Sequence, residues 1–297
     1  MSKLVVKSAA SIIDQTVFLR VQFGVMGNSR KVSNSVLNTD CDATLLKVQK
    51  SLIDSPELDA IRKADGQLRT YLYNLCLPYD MGILLLPIAL LDKVNGKLKM
   101  YSEERAELVK AFIAAYPALC EVAVTRLGSL YNAGDYPSLA EVAAKFTFNY
   151  QYWSFVVPEA LKNAGLYAEA MAKAQEQVKV AAEEITLLMR QTLLELVNHL
   201  STALEPTAEG KPKRLFSSAV TNVQDFLDTF TARNITNDSE LEEIVLKART
   251  LIHPGVSADV IKADGQFKAA IQTGIASIAE QLSGLTETVH SRKFREE

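Results

Sequence analysis

An uninterrupted stretch from Pro158 to Leu204 constrains the fold of this chain more than any other segment. It contains no proline after Pro158 and a single glycine, Gly165. A helix over the whole stretch would be about 70 Å long at 1.5 Å per residue. The side chains that recur along one side of such a helix decide what kind of partner it can pack against.

Heptad positions along this stretch carry mostly small or flexible side chains. The first position is occupied by Leu161, Ala168, Gln175, Ala182, Met189, Leu196 and Ala203, and the second by Ala164, Met171, Val178, Ile185 and Thr192. Small seam residues favour a close-packed antiparallel helix over a Leu/Ile zipper. Ala168 and Ala182 should therefore face a partner helix that leaves no room for a longer side chain.

The composition is that of a soluble protein with a hydrophobic core. Apolar residues make up 48% of the chain, charged residues make up 23%, and the net charge is −3. This charge excludes a global attraction to nucleic acid or to anionic membranes. Three widely spaced cysteines (Cys41, Cys76 and Cys120) and the lack of a signal-peptide pattern predict a cytoplasmic protein with free thiols and no membrane association.

Local patterns predict two strands and several shorter helices. Alternating residues indicate strands at Thr16–Phe23 and Phe146–Trp153. Helices are predicted from about Ala43 to Ile53, from Pro56 to about Cys76 with Ser55 as N-cap, from Ser102 to about Leu127, from Ser138, from Phe216 to Ala232, from Ser239 and from Ser257. Pro117 should kink or split the helix that contains it.

Two further segments have more than one interpretation. The run Met81–Leu91 is the most apolar in the chain, but it is shorter than the roughly 20 residues that a membrane-spanning helix requires. It is either a buried connection between helices or a membrane-inserting tip like those of helical pore-forming toxins. The sequence Lys63–Gln67 recurs as Lys262–Gln266, each time inside a predicted helix. The repeat is either a coincidence or, because of its glycine, a sign of a close approach of helices.

These patterns predict a mainly α (α+β) protein. A long antiparallel helical hairpin or bundle would carry a small antiparallel β-sheet at one end, built from residues 1–35 and 144–153. Residues 1–157 form the predicted α+β domain, residues 158–290 the helical hairpin or coiled-coil bundle, and residues 291–297 a frayed tail.

Two groups of residues are candidates for a nucleic-acid or partner surface. Four aromatic residues share one face of the second predicted strand: Phe146, Phe148, Tyr150 and Tyr152. They either pack against helices or stack with single-stranded nucleic acid, assisted by Lys7, Arg20, Arg30 and Lys31. A basic cluster of Lys211, Lys213 and Arg214 is either a solvated loop or a phosphate-contact site.

The sequence lacks the motifs that mark common catalytic and cofactor sites. It has no glycine-rich phosphate loop, no His-Glu-x-x-His and no nucleophile elbow. His199, His253 and His290 are isolated, without a second ligand at helical spacing. We therefore predict no catalytic residue, no cofactor and no metal site.

Three stretches together carry a family resemblance: Phe112–Pro117, Leu127–Ser138 running into Lys145–Phe148, and Asn234–Asp238 before a helix. They resemble a family of bacterial and phage proteins catalogued as a domain of unknown function. Its members are often encoded near MoxR-type AAA ATPases and von Willebrand A-domain proteins. The resemblance covers roughly residues 80–285, and it implies a phage or bacterial protein, in the host cytoplasm if phage-encoded. It assigns no functional residues.

The leading functional hypothesis is a non-enzymatic assembly or adaptor protein. It would act through helical self-association into a homo-oligomer, or through an AAA ATPase partner. The first alternative is a single-stranded nucleic-acid-binding protein. The second is a protein similar to helical pore-forming toxins.

Overall fold

The computed structural model describes residues 12, 14–33, 36, 41–42, 45–80, 82–154, 166–206 and 213–293. Its helices are α1 (Pro56–Leu75), α2 (Leu91–Leu127), α3 (Leu139–Lys145), α4 (Tyr167–Leu204), α5 (Ser217–Arg233), α6 (Ser239–Leu251), α7 (Ala258–Ala263) and α8 (Gly265–Lys293). Its strands are β1 (Thr16–Phe23), β2 (Ser29–Lys31), β3 (Gln49–Ser51), β4 (Leu77–Asp80), β5 (Ile83–Pro87) and β6 (Phe148–Trp153). The predicted fold class, mainly helical with a small antiparallel sheet, is confirmed.

The described strands form a sheet in the order β4-β5-β1-β6 and a separate pair, β2 and β3. The prediction that the sheet uses only the first 35 residues and residues 144–153 is wrong, because the apolar run after Met81 contributes β5. Four of the five residues of β5 are buried. A short, continuously apolar segment that is buried on both faces is typical of a strand inside a sheet. Gly82 makes the tight turn from β4 with a φ of 73°, which glycine adopts without strain.

The helix predicted from Ala43 to Ile53 is also wrong, since β3 lies within it and pairs with β2 in an antiparallel arrangement. Contacts with distant residues stabilise the extended conformation. The Asn28 side chain bonds both the backbone N–H and the carbonyl of Ile53, at 3.0 and 2.7 Å. The Lys50 ammonium lies 2.6 Å from the Asp135 carboxylate. These tertiary contacts override the local helical pattern.

The chain divides into two compact units. Unit 1 comprises Met1–Phe18, Asn74–Leu91 and Trp153–Glu297, and unit 2 comprises Leu19–Tyr73 and Asp92–Tyr152. Unit 1 therefore combines segments from both sides of the boundary predicted near residue 157, and that boundary stays a prediction.

In unit 1 the long helix α4 packs against α8 and α5. The predicted seam is buried at Val178, Ala182, Ile185 and Met189. Beyond them the buried positions are Leu193, Val197, Leu200 and Leu204, whereas the heptad pattern placed Leu196 and Ala203 at the centre. A straight helix has 3.6 residues per turn, so a strict seven-residue repeat drifts by about 20° per heptad.

The seam prediction is wrong for the first turns of α4. Ala168 and Gln175 are exposed, and no described side chain of α4 before Val178 is buried. The segment is rich in alanine, glutamate and lysine, which are strong helix formers and favour a helix where little side-chain burial contributes. The ion pair between Glu169 and Lys173, 2.8 Å apart, adds support at the i,i+4 spacing. The predicted seam residues Leu161 and Ala164 lie outside the described residues.

Other helix boundaries differ from the predictions. Helix α2 begins at Leu91 rather than at Ser102, because Val94, Leu98 and Tyr101 extend its buried stripe upstream. Pro117 lies inside α2 and does not split it. The proline is on the solvent side, where water can bind the carbonyl group that loses its helical hydrogen bond.

The cap predictions had mixed outcomes, and the close helix approach predicted at the repeat glycines is wrong, because a Cβ atom at Gly66 or Gly265 would meet none of the described residues within 4 Å. The capping box at Ser138 and the N-cap at Ser257 are confirmed. The N-cap of α6 is Asp238, not Ser239. The second copy of the five-residue repeat interrupts the predicted helix, since the Asp264 carboxylate accepts hydrogen bonds from the N–H groups of Gln266 and Phe267 and starts α8.

Candidate interaction surfaces

The predicted aromatic face lies in unit 2 and contacts α2. The strand begins at Phe148 rather than at the predicted Phe146, which is the C-cap of α3. Phe146, Phe148, Tyr150 and Tyr152 are half-buried and alternate with exposed Thr147, Asn149 and Gln151. The ring of Phe148 lies 5.0 Å from that of Tyr101 on α2, and the ring of Phe146 lies 5.2 Å from that of Phe112. The first pair is edge-to-face and the second is tilted, and both use ring surface that a stacked base would need.

Two basic residues of unit 2 have neighbours of opposite charge or aromatic character. Arg69 lies over the ring of Phe23, 4.5 Å from its centroid. Arg30 lies 3.8 Å from Asp135. Arg20 and Lys31 are exposed, and Lys7 lies outside the described residues.

The predicted basic cluster is described only in part, and it belongs to unit 1. Lys211 lies outside the described residues. The Lys213 ammonium donates to the Thr202 carbonyl at 3.1 Å, and Arg214 lies 4.9 Å from the centroid of the Phe216 ring. Lys213 thus contacts the end of α4, and the aromatic face is in the other unit.

A buried ion pair that the sequence analysis missed connects α1 and α2. The Arg105 guanidinium binds Asp65 at 2.9 Å and donates to the Gly24 carbonyl at 2.7 Å. The Tyr101 hydroxyl also donates to Asp65. Burial, together with this hydrogen bond, raises the pKa of Tyr101. The backbone must approach closely here, because a Cβ atom at Gly24 would clash with Thr147 and the Lys145 carbonyl.

A second buried network connects α4 with the start of α6 in unit 1. The Arg190 guanidinium binds Asp238 through two hydrogen bonds, of 2.6 and 2.8 Å, and binds Glu240 at 2.9 Å. Burial alone would lower the pKa of Arg190, but its bonds to the two carboxylates outweigh burial and raise it. Asp238 also caps α6 by accepting from the Leu241 N–H. The network therefore joins α4 to the start of α6.

Three arginines are buried among the described residues, and Arg233 differs from Arg105 and Arg190 because no described carboxylate pairs with it. It is 4% exposed, and its Nε has no hydrogen-bond partner among the described residues. Burial lowers the pKa of Arg233 to about 10. Burial also raises the pKa of the neighbouring Cys76 thiol to about 12. Cys76 is therefore protonated at neutral pH and is not a nucleophile.

Two surface cavities are open to solvent. One, of about 570 Å³, lies along the first half of α4 and is lined by Tyr79, Lys173, Val180 and Glu184 among others. The other, of about 380 Å³, lies between β3 and the end of α2. Neither groups three histidine, cysteine or acidic side chains, and no such group occurs among the described residues.

Helix α2 carries an apolar stretch that is largely exposed. The segment Ile88–Leu130 is long and apolar enough to cross a membrane by length and composition, and only 17% of its most apolar 18-residue window is buried. We call the solvent side of this stretch the α2 outer face; it consists of Lys110, Ala111, Ala114, Pro117, Ala118, Glu121, Val122, Val124 and Thr125, all exposed. Val122 and Val124 are 51% and 47% exposed. Contiguous apolar surface of this kind marks an interaction site in soluble proteins.

No protein-family model, curated protein or solved structure matches this chain. The resemblance to the bacterial and phage family that accompanies MoxR-type ATPases therefore stays a prediction.

Proposed function

We propose that this protein is a non-enzymatic assembly or adaptor protein and that the α2 outer face is its interaction surface. This proposal rests on the exposed apolar side chains of α2, because packing them against another helix would remove them from water. Such burial is the main favourable term in protein association. The buried ion pairs in both units are consistent with a structural role, since their charged groups are paired with each other.

The seam of α4 supplies a second reason to place the interaction on α2. The seam residues from Val178 onward are buried within the chain, so they are not available for a coiled coil between copies. The exposed side of α4 carries charged residues such as Lys179, Glu183 and Glu184. Self-association or binding of an ATPase through the outer surface of α2 requires no unfolding of unit 1.

Light scattering during size-exclusion chromatography tests this function. The purified protein is measured alone over a range of concentrations, and then after mixing with the MoxR-type ATPase encoded nearest to its gene. We expect a homo-oligomer, a complex with the ATPase, or both. A protein that stays monomeric alone and with every co-encoded partner is not an assembly protein.

Single-stranded nucleic-acid binding stays the alternative prediction. It would use the exposed edges of the β6 aromatic residues, and its affinity would fall steeply with salt because phosphate contacts release counterions. Fluorescence anisotropy with a labelled oligonucleotide at low salt tests it, and absence of binding there removes it. The toxin-like alternative predicts leakage of dye-filled vesicles.

A further inference from the structure

We propose that the α2 outer face binds a second copy of this chain, with the two α2 helices antiparallel across a two-fold axis near residues 115 and 116. This inference rests on the proposed function and specifies its partner and its geometry. The face carries two charges with small side chains between them, and these residues are exposed.

The charge pattern is complementary to itself in one orientation. Within Leu108–Thr125 the only charged residues are Lys110 and Glu121, and both are exposed. They lie about 16 Å apart along the helix, at 1.5 Å per residue. In an antiparallel pair, Lys110 of each copy faces Glu121 of the other. A parallel pair would instead bring lysine against lysine and glutamate against glutamate, which is unfavourable.

The side chains between these two charges are small. Ala114, Pro117 and Ala118 lie midway between Lys110 and Glu121 on the exposed side of α2. Small residues at the crossing point allow two helix backbones to approach closely, and the larger Val122 and Val124 would then contact the flanks of the partner helix. A symmetric pair of this kind uses the same patch on both copies, as closed dimers usually do.

The same observations argue against a lipid bilayer as the occupant of this face. Lys110 and Glu121 are both on the exposed side of the apolar stretch, so insertion would bury two charges without partners. Among the described residues Lys110 forms an ion pair with Glu107, at 3.6 Å, and both side chains are more than three-quarters exposed. An exposed pair of this kind contributes little and can exchange partners.

Charge reversal tests the geometry. Full-length wild type is compared with the variants K110E and E121K and with the double variant K110E/E121K by sedimentation equilibrium, from low micromolar to several hundred micromolar protein. Each single reversal places two like-charged pairs across the dimer, so we expect about tenfold weaker association. The double variant restores opposite charges at both pairs, and its association should return to within about twofold of the wild type.

Lys99→Glu is the matched control, because Lys99 is exposed on α2 but precedes the α2 outer face. It should associate like the wild type. Circular dichroism at each concentration limit verifies that all variants are folded. If the single reversals associate like the wild type, or if the double variant does not recover, the proposed geometry is wrong.

The outcomes separate this inference from the proposed function. An oligomer that is unaffected by all reversals uses another surface, which overturns the inference and leaves the assembly function standing. A wild type that is monomeric alone but binds the ATPase has the same consequence. Flotation of the wild type with phosphatidylcholine–phosphatidylglycerol vesicles would identify a membrane as the occupant and would also overturn the inference.

Discussion

Helices α2 and α4 have almost the same length, 37 and 38 residues, but they use their apolar side chains differently. From Val178 onward α4 buries a stripe against other helices of unit 1. Helix α2 buries a stripe that includes Tyr101, Phe112 and Tyr116, and it also exposes an apolar face on the opposite side. The comparison shows that the apolar composition of a helix does not by itself indicate whether the helix packs against its own chain or against another molecule. The location of small, uncharged residues on the side away from the core is the more useful indication of an external partner.

The largest expected effect concerns the buried charge on α4. Asp238→Ala removes the two-bond partner of Arg190 and the N-cap of α6. Breaking a buried ion pair from one side typically costs about 3–5 kcal/mol, and Glu240 at 2.9 Å from Arg190 should keep the loss near the lower value. Urea unfolding at pH 7 measures the change in the free energy of unfolding.

Glu184→Gln is the control for this variant. Glu184 is exposed on α4, so its replacement should change the free energy of unfolding by less than about 0.5 kcal/mol. If Asp238→Ala lowers the free energy of unfolding by less than about 1 kcal/mol, the network does not hold α4 against α6. The evidence that α4, unlike α2, has its partners within the chain would then be weaker.

The second prediction concerns the seam itself. Ala182 is 1% exposed, so Ala182→Gln forces a long polar side chain into a filled space. Overpacking of this kind typically costs about 1–3 kcal/mol. Lys179→Gln, about one turn away and exposed, should change stability by less than about 0.5 kcal/mol. Thermal unfolding of the two variants measures the difference, and equal melting temperatures would show that α4 is not packed at Ala182.

Local patterns were sufficient for much of the fold. Alternation over Thr16–Phe23 predicted β1 with its exact ends, and Ser55 with Pro56 predicted the start of α1. Both signals are contained within a few residues. Strands β3 and β5 were missed because their conformation depends on pairing with residues elsewhere in the chain. The apolar run that became β5 has no periodicity that distinguishes a buried strand from a buried connection.

The sequence was sufficient to group the residues of the candidate surfaces, but it did not show how far each of them is exposed. The alternation of the β6 aromatic residues predicted one shared face, and the structure places Phe146 and Phe148 against α2. Within the apolar stretch Leu108–Thr125 of α2, only the two charges Lys110 and Glu121 indicate in the sequence which side faces solvent. The partners Arg190 and Asp238 are 48 residues apart, so only the folded chain brings them together. The small residues Ala114 and Ala118, flanked by the isolated charges Lys110 and Glu121, were the available signal for the α2 outer face.

The third prediction concerns the buried side of α2. Burial raises the pKa of Tyr116 above its ordinary value of 10.0, so the hydroxyl releases its proton more readily in the unfolded chain. The stability that the protonated Tyr116 hydroxyl contributes is therefore fully present below pH 10. It is lost as the pH rises toward the higher pKa of the folded state.

Tyr116→Phe removes this contribution. Between pH 9 and pH 11 the variant should lose about 1 kcal/mol less stability than the wild type. At pH 7 it should be slightly less stable, because the hydroxyl no longer donates to the Pro137 carbonyl at 3.1 Å. Tyr73→Phe, on exposed α1 surface, should follow the pH dependence of the wild type. Urea unfolding at several pH values makes the measurement, and parallel curves for Tyr116→Phe and the wild type would show that this side of α2 is not buried.

The smallest expected change in stability comes from the substitution that contrasts the two helices most directly. Ala114→Gln on α2 introduces the same side chain as Ala182→Gln on α4, but Ala114 is exposed. The free energy of unfolding should fall by less than about 0.5 kcal/mol, because glutamine is nearly as good a helix former as alanine. Self-association should nevertheless weaken, since the longer side chain lies where two α2 helices are proposed to cross. Thermal unfolding and sedimentation equilibrium on the same samples separate the two effects. If Ala114→Gln destabilises the monomer as much as Ala182→Gln does, the α2 outer face is packed within the chain, and the two helices do not differ in the way described above.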